Sequence, residues 1–343
     1  MRKRNIAKAD ESNRSCRVCL PPDNTRRWPA LLVFAIIFVL HTGGCRAEPP
    51  TLPPTAVPTA ELTETAPPAP TAAPTATPTA EPTSKNPPAG ASLGDTWTRP
   101  IDGMVMVYVP GGQFEMGSDD PFYNNEGPPH DVEVDGFWMD RTEVSNAQYQ
   151  ECVEVGACKP PRQTGSHTRA AYYGESTYAD YPVIHVNWYR ALAYCNWVGG
   201  RLPLEAEWEY AARGPEGRWF PWGNMPDLSQ LNYCDANCTL EHADRSSDDG
   251  YADTSPVGAY PGGASWVGAL DMVGNVWEWV KDWYGYYPSP ENPSWLAPDF
   301  RFRVIRGGGW DTARDHARCT FRNWREPARA HDSIGFRCAV SVP

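Results

Sequence analysis

The side chains best equipped for chemistry crowd into the C-terminal third of the chain: Trp277, Trp310, Arg314, His316, Arg318, Arg322, Trp324 and Arg325. Indole faces and guanidinium forks of this kind hold extended peptides, carboxylates or sugars by stacking and paired hydrogen bonds. A plainer reading packs the tryptophans into the core and lays the arginines over it, and both readings stand at this point. Reaction chemistry is less visible. The sequence contains no Ser-His-Asp arrangement, phosphate-binding glycine loop or His-Glu-x-x-His motif. His316 and His331 are too few and too far apart to mark a metal centre, and Cys16 and Cys19 form a lone Cys-x-x-Cys without histidine partners.

Ten cysteines divide by place: Cys16 and Cys19 precede an apolar run, Cys45 follows it, and seven lie beyond residue 95. In an oxidising compartment those seven mostly pair. Cys152 with Cys158, and Cys234 with Cys238, are near enough in sequence to close local loops.

The elements that must position these groups are short. Residues 105–109 and 132–137 alternate as strands do, with Pro110 and two glycines turning the first. A helix is expected over 145–155, opened by the capping hydroxyl of Ser145 and stopped by Gly156. Asn187 is placed to cap a second helix over 188–198, and Pro203 suits the first turn of a third over 204–213. Fifteen Trp, 16 Tyr and 29 Gly predict a core of large aromatics held by irregular loops. The fold class is α+β, loop-rich.

Upstream of this domain, assigned to 96–343, the chain changes character. Residues 1–44 carry eight Lys or Arg against three Asp or Glu, then reach the apolar run 30–40. This reads as an export signal, and eleven apolar residues are too short for the roughly 20 that a spanning helix requires. Small residues before Cys45 resemble a bacterial lipoprotein signal, which makes Cys45 the expected lipidation site; an uncleaved signal anchor is the rival. Residues 45–95 form a Thr/Pro-rich stalk: 49–88 alone hold 13 Pro and 10 Thr, too little apolar surface to offset chain entropy. Formal charge is −12, and with the basic leader set aside the remainder stands near −17, which excludes a nucleic-acid partner. The expected location is outside the cell membrane, tethered to its outer face.

Residues 268–283 (Gly-Ala-Leu-Asp-Met-Val-Gly-Asn-Val-Trp-Glu-Trp-Val-Lys-Asp-Trp), 306–310 (Arg-Gly-Gly-Gly-Trp) and 335–339 (Gly-Phe-Arg-Cys-Ala) together resemble the signature of the formylglycine-generating enzyme family, the sulfatase-modifying factors. The resemblance continues through 109–117, 140–145, 182–188 and 201–210. It implies a variation of the C-type lectin-like fold. It also implies a disulfide between Cys195 and Cys338, and a free buried Cys319, because the family's partner position for the latter falls on Ala212.

Two structural calcium sites are implied by the same resemblance, one at Asp271, Gly274, Val276 and Glu278 and the other at Asn232, Tyr233, Asp249 and Tyr251. Carboxylates and loop carbonyls are apt ligands for this ion, although acidic loops also serve as simple turn caps. Copper is not expected. The family's thiolate pair comes after its Gly-Gly-Ser motif, whereas here Gly309 replaces the serine, Thr312 falls at the first thiolate position and the second has no counterpart. The expected role is therefore a non-catalytic binding or scaffold module, with Trp277, Trp310, Arg314, His316 and Arg322 meeting an extracytoplasmic peptide, protein or glycan. The alternative is an enzyme of the same family working by a copper-independent route.

Overall fold

A computed structural model describes residues 86–120, 125–288 and 300–342. The leader, Cys45 and most of the stalk lie outside the described residues. The chain divides into units 1–74 and 75–343, and every described residue belongs to the second.

Among the described residues, three sheets and three α-helices build it. Strands β1 (Thr96–Thr98), β2 (Val105–Val109), β5 (Phe137–Asp140) and β10 (Ala339–Ser341) form an antiparallel sheet in that order. Strands β3 (Gly112–Met116) and β4 (His130–Val134) make a hairpin of their own. The third sheet runs β8 (Arg322–Arg325), β7 (Arg303–Arg306), β6 (Trp277–Trp283) and β9 (Ile334–Gly335), antiparallel except for the β6/β9 pair. The expected single strand over 132–137 is two: β4 stops at Val134 and β5 begins at Phe137 in a different sheet. Alternation continues across the break, so periodicity conceals it. The turn is legible only in Asp135-Gly136, where a Cβ on Gly136 would stand 2.6 Å from the Tyr108 hydroxyl.

The helices open as their caps dictate. Helix α1 (Asn146–Glu154) starts at a reciprocal box in which Gln148 donates its amide to Ser145 Oγ (3.3 Å) while Ser145 donates its own to Gln148 Oε1 (3.0 Å). Helix α2 (Trp188–Trp197) starts where Asn187 Oδ1 accepts from the Arg190 amide at 3.1 Å. At the head of α3 (Glu205–Arg213), Glu207 reaches back to the Leu204 amide at 2.7 Å.

Two apolar clusters share the third sheet. One packs α3 and Trp208 against β2, β3, β4 and β5; the other packs α1 and α2 against Trp138, Trp279 and Phe336. Disulfides join Cys152 to Cys158, Cys234 to Cys238 and Cys195 to Cys338, while Cys319 is free and buried. Burial pushes the Cys319 thiol far above its ordinary value, which keeps it protonated and unreactive. Among the described residues no helix is long and apolar enough to cross a membrane.

Candidate functional site

The aromatic and guanidinium side chains do not form one surface. Trp277 and Trp310 are core: Trp277 Nε1 donates to Asp311 Oδ1 (3.2 Å), and Trp310 Nε1 donates to the Asp332 carbonyl (3.1 Å) beneath the His167 ring. Arg322 is not available to a ligand either. Its guanidinium is fully buried and grips both oxygens of Glu205, at 2.8 and 2.7 Å, from the neighbouring helix α3. Sequence spacing could not reveal a partner 117 positions away. His316 lies flat on Phe321, with centroids 4.4 Å apart, and Trp324 stacks on Tyr284.

Arg314 is the exception. Its side chain is 57 % exposed, with a long 3.6 Å contact to Asp244. It lines a depression of about 660 Å³ together with the apolar Trp219, Phe220, Pro226, Leu228 and Ala317 and the charged Asp120, Asp315 and Arg318. Trp219 is itself exposed. An apolar wall edged by guanidinium and carboxylate groups is suited to a peptide that brings apolar and charged side chains together.

A second cluster was not visible in the sequence. Asp332 lies 2.9 Å from His331 Nδ1 and 3.5 Å from His167 Nδ1, and the ring of His185 is also close enough to act on its charge. The hydrogen bond to Asp332 raises His331 above the usual imidazole range, whereas burial lowers His185. Burial opposes the Asp332 charge, but the His331 bond and the surrounding imidazoles hold its carboxyl below the ordinary range. His185 has a left-handed backbone (φ 57°), a strain that packing must hold in place. The only advance signal was its place in the 182–188 motif.

The loop where the family carries copper holds oxygen and nitrogen groups here. Thr312 is buried, and its Oγ1 accepts from the Gly309 amide at 2.7 Å. Cys319, the nearest thiol in sequence, is sealed in the other core cluster. Soft sulfur selects Cu(I), so these residues do not fit that ion.

Calcium is a different matter, and the two sets differ. Among the described residues no group of three or more Asp, Glu, His or Cys converges on one point, so any site must combine fewer side chains with carbonyls. At the second set, Asn232 is buried and its Oδ1 has no donor. Asp249 accepts the amides of Tyr233 (3.0 Å) and Tyr251 (2.9 Å), and burial, with Asp235 adding its charge, pushes its carboxyl up to about 7. An orphaned acceptor and a desolvated carboxyl group in the same loop region are the kinds of ligand a hard cation takes.

At the first set the fit is partial. Glu278 is fully engaged: Arg337 Nη2 meets Oε1 at 2.6 Å, while Arg337 Nε and Trp208 Nε1 donate to Oε2 at 2.7 and 2.8 Å. Asp271 instead faces Glu143, a completely buried acid with neither oxygen given a donor. Gly274 lets the two loops touch, since a Cβ there would run into the Asn232 carbonyl.

Comparison with known proteins agrees with this architecture. Mouse formylglycine-generating enzyme is 33 % identical over 295 residues, covering 71 % of this chain and 76 % of its own. Bovine inactive C-alpha-formylglycine-generating enzyme 2 is 33 % identical over 285 residues, covering 68 % of this chain and 87 % of its own. Among solved structures, PvdO from Pseudomonas aeruginosa superposes with a TM-score of 0.60 at 28 % identity, over 74 % of this chain and all of the other. Residues 94–342 match the sulfatase-modifying factor enzyme 1-like domain, and the chain belongs to that family.

Proposed function

We propose that this chain is an exported, membrane-tethered member of the family that has lost the copper chemistry and works as a binding module for peptide segments. The observation that carries the reading is the 309–318 loop, where Thr312 turns its hydroxyl onto a backbone amide and no thiolate is offered. Arg314 and the apolar wall of Trp219, Phe220, Pro226 and Leu228 supply the peptide-binding face. Lipidation of Cys45 and the Pro-rich stalk would hold that face away from the membrane, and calcium would order the 232–278 loops without taking part in chemistry. The test is direct: the purified chain, given Cu(I), oxygen and a Cys-x-Pro-x-Arg peptide, leaves the peptide mass unchanged. Oxygen-dependent conversion of that cysteine to formylglycine overturns the reading. Cys45→Ala should release the protein from membranes, and retention through residues 30–40 would mean an uncleaved anchor.

One observation favours an enzyme as the second reading. His331, half-exposed and hydrogen-bonded to Asp332 beside the buried Trp310, has the arrangement of a general base. Turnover of any envelope-derived peptide that disappears in His331→Gln would select it.

A further inference from the structure

We propose that a second cavity, where the head of α3 meets β6 and β10, binds a small zwitterion of the amino-acid type: a free dipeptide with apolar side chains. The cavity measures about 500 Å³ and shares no lining residue with the Arg314 depression. Small-molecule sites occupy roughly 300–1,000 Å³, so its size suits such a guest.

Four charged side chains line it, and they sort into a closed pair and an open one. Arg201 donates from both Nη atoms to the two oxygens of Glu207 at 2.6 Å, and from Nε to Ser341 Oγ at 3.1 Å, so its fork is spent on the wall itself. Lys281 and Asp135 are exposed on the same cavity, and neither side chain forms an ion pair or hydrogen bond among the described residues. Backbone contacts fix where each one starts. The Lys281 amide donates to the Pro203 carbonyl at 2.8 Å, and its carbonyl accepts from Arg303. Asp135 stands in the turn between β4 and β5, next to Gly136 and the Tyr108 hydroxyl, which also lacks a partner among the described residues.

One cation and one anion thus remain for a ligand, and the four charges sum to zero. A simple anion drawn to Lys281 would also meet Asp135, and a simple cation would meet the reverse. A molecule carrying both signs answers both groups, its carboxylate on Lys281 and its ammonium on Asp135. A dipeptide sets those charges about 3.5 Å further apart than a single amino acid does, which suits two side chains that do not reach one another. Leu204, a large apolar side chain left 38 % exposed, and Val342 offer the ground for its apolar side chains.

The test uses the full chain and leucyl-leucine, with the N-acetylated and C-amidated forms beside it, read by isothermal titration calorimetry. The free dipeptide should bind saturably, and blocking either end should weaken it on the order of tenfold or more, because each block removes one charge-assisted contact. The variants assign the ends. Lys281→Met should bind the free and amidated forms equally, and Asp135→Asn the free and acetylated forms equally. Lys281→Arg, which keeps the charge, should restore the penalty for amidation. A wild type that does not bind leucyl-leucine overturns the proposal, and so does one indifferent to blocking. Penalties that survive in both Lys281→Met and Asp135→Asn overturn it as well, because they place the dipeptide elsewhere.

Discussion

Glu205 and Glu143 are both acids sealed from water, yet the first has two arginines on it and the second has no donor at all. Around Glu205 and Glu209 each acid is matched by two guanidinium groups: Arg306 and Arg322 hold Glu205, while Arg306 and Arg213 hold Glu209, whose Oε1 also accepts the Gly117 amide at 2.7 Å. Burial works against the Glu209 charge, but Arg306 and Arg213 hold its carboxyl below the ordinary range. Glu143 has the reverse fate: burial and then the Asp271 charge push it well up. Desolvation is common to both, so what separates them is the supply of donors to their acceptors.

The matched region should break hardest. Glu205→Ala leaves the buried Arg322 without a carboxylate and takes one of two from Arg306, and the expected loss is roughly 3–5 kcal/mol of unfolding free energy, read by urea titration at neutral pH. A loss under about 1 kcal/mol would mean that water reaches these arginines and the contrast with Glu143 is false. Acid should erode the same region: the Glu209 contribution is present above the ordinary glutamate pKa of about 4.3 and fades as pH falls through its lower folded value.

Asp282 is an intermediate case, because it has one donor, the Glu205 amide at 2.7 Å, and no guanidinium partner among the described residues. Burial and the Glu205 charge push its carboxyl up to about 6. Folding therefore favours its protonated form: that contribution is complete below the unfolded value near 3.9 and lost as pH rises through about 6. Asp282→Asn keeps the acceptor and drops the charge. The variant should match wild type at low pH and exceed it by on the order of 1–2 kcal/mol above pH 7, read by thermal melts across pH. Parallel curves would show that Asp282 is solvated.

Arg314→Ala should give the smallest stability change, within about 0.5 kcal/mol, because its charge stays in water. Its consequence belongs to binding: a peptide retained by wild type on an affinity column should wash from the variant. Equal retention would place the ligand elsewhere on the domain.

Local chemistry was legible before any coordinates. Ser145 with Gln148, and Asn187, announce their helices because a cap and its target lie three residues apart. The short-loop cysteine pairs were legible for the same reason. Partnerships across the fold were not. Nothing near Arg322 in sequence points to Glu205, and nothing near Asp271 points to Glu143, 128 positions earlier by number. Trp277 and Trp310 illustrate the same limit, since an indole looks alike in sequence whether it stacks on a ligand or donates to Asp311 and Asp332 from within. The family motifs were strong enough to name the fold, yet they leave the fate of each acid within them to its neighbours in space.

The Cys195–Cys338 bond closes a covalent ring across 143 positions, and that ring encloses helix α3, both calcium sets, the Arg314 loop and the His331 pair. A protease that cuts once anywhere inside it produces two chains but still one molecule. Such a nick opens no exit for either piece until the disulfide is reduced, and the fragments would separate on a reducing gel while migrating together on a non-reducing one. A domain built this way tolerates damage to its loops that would dismantle a linear chain.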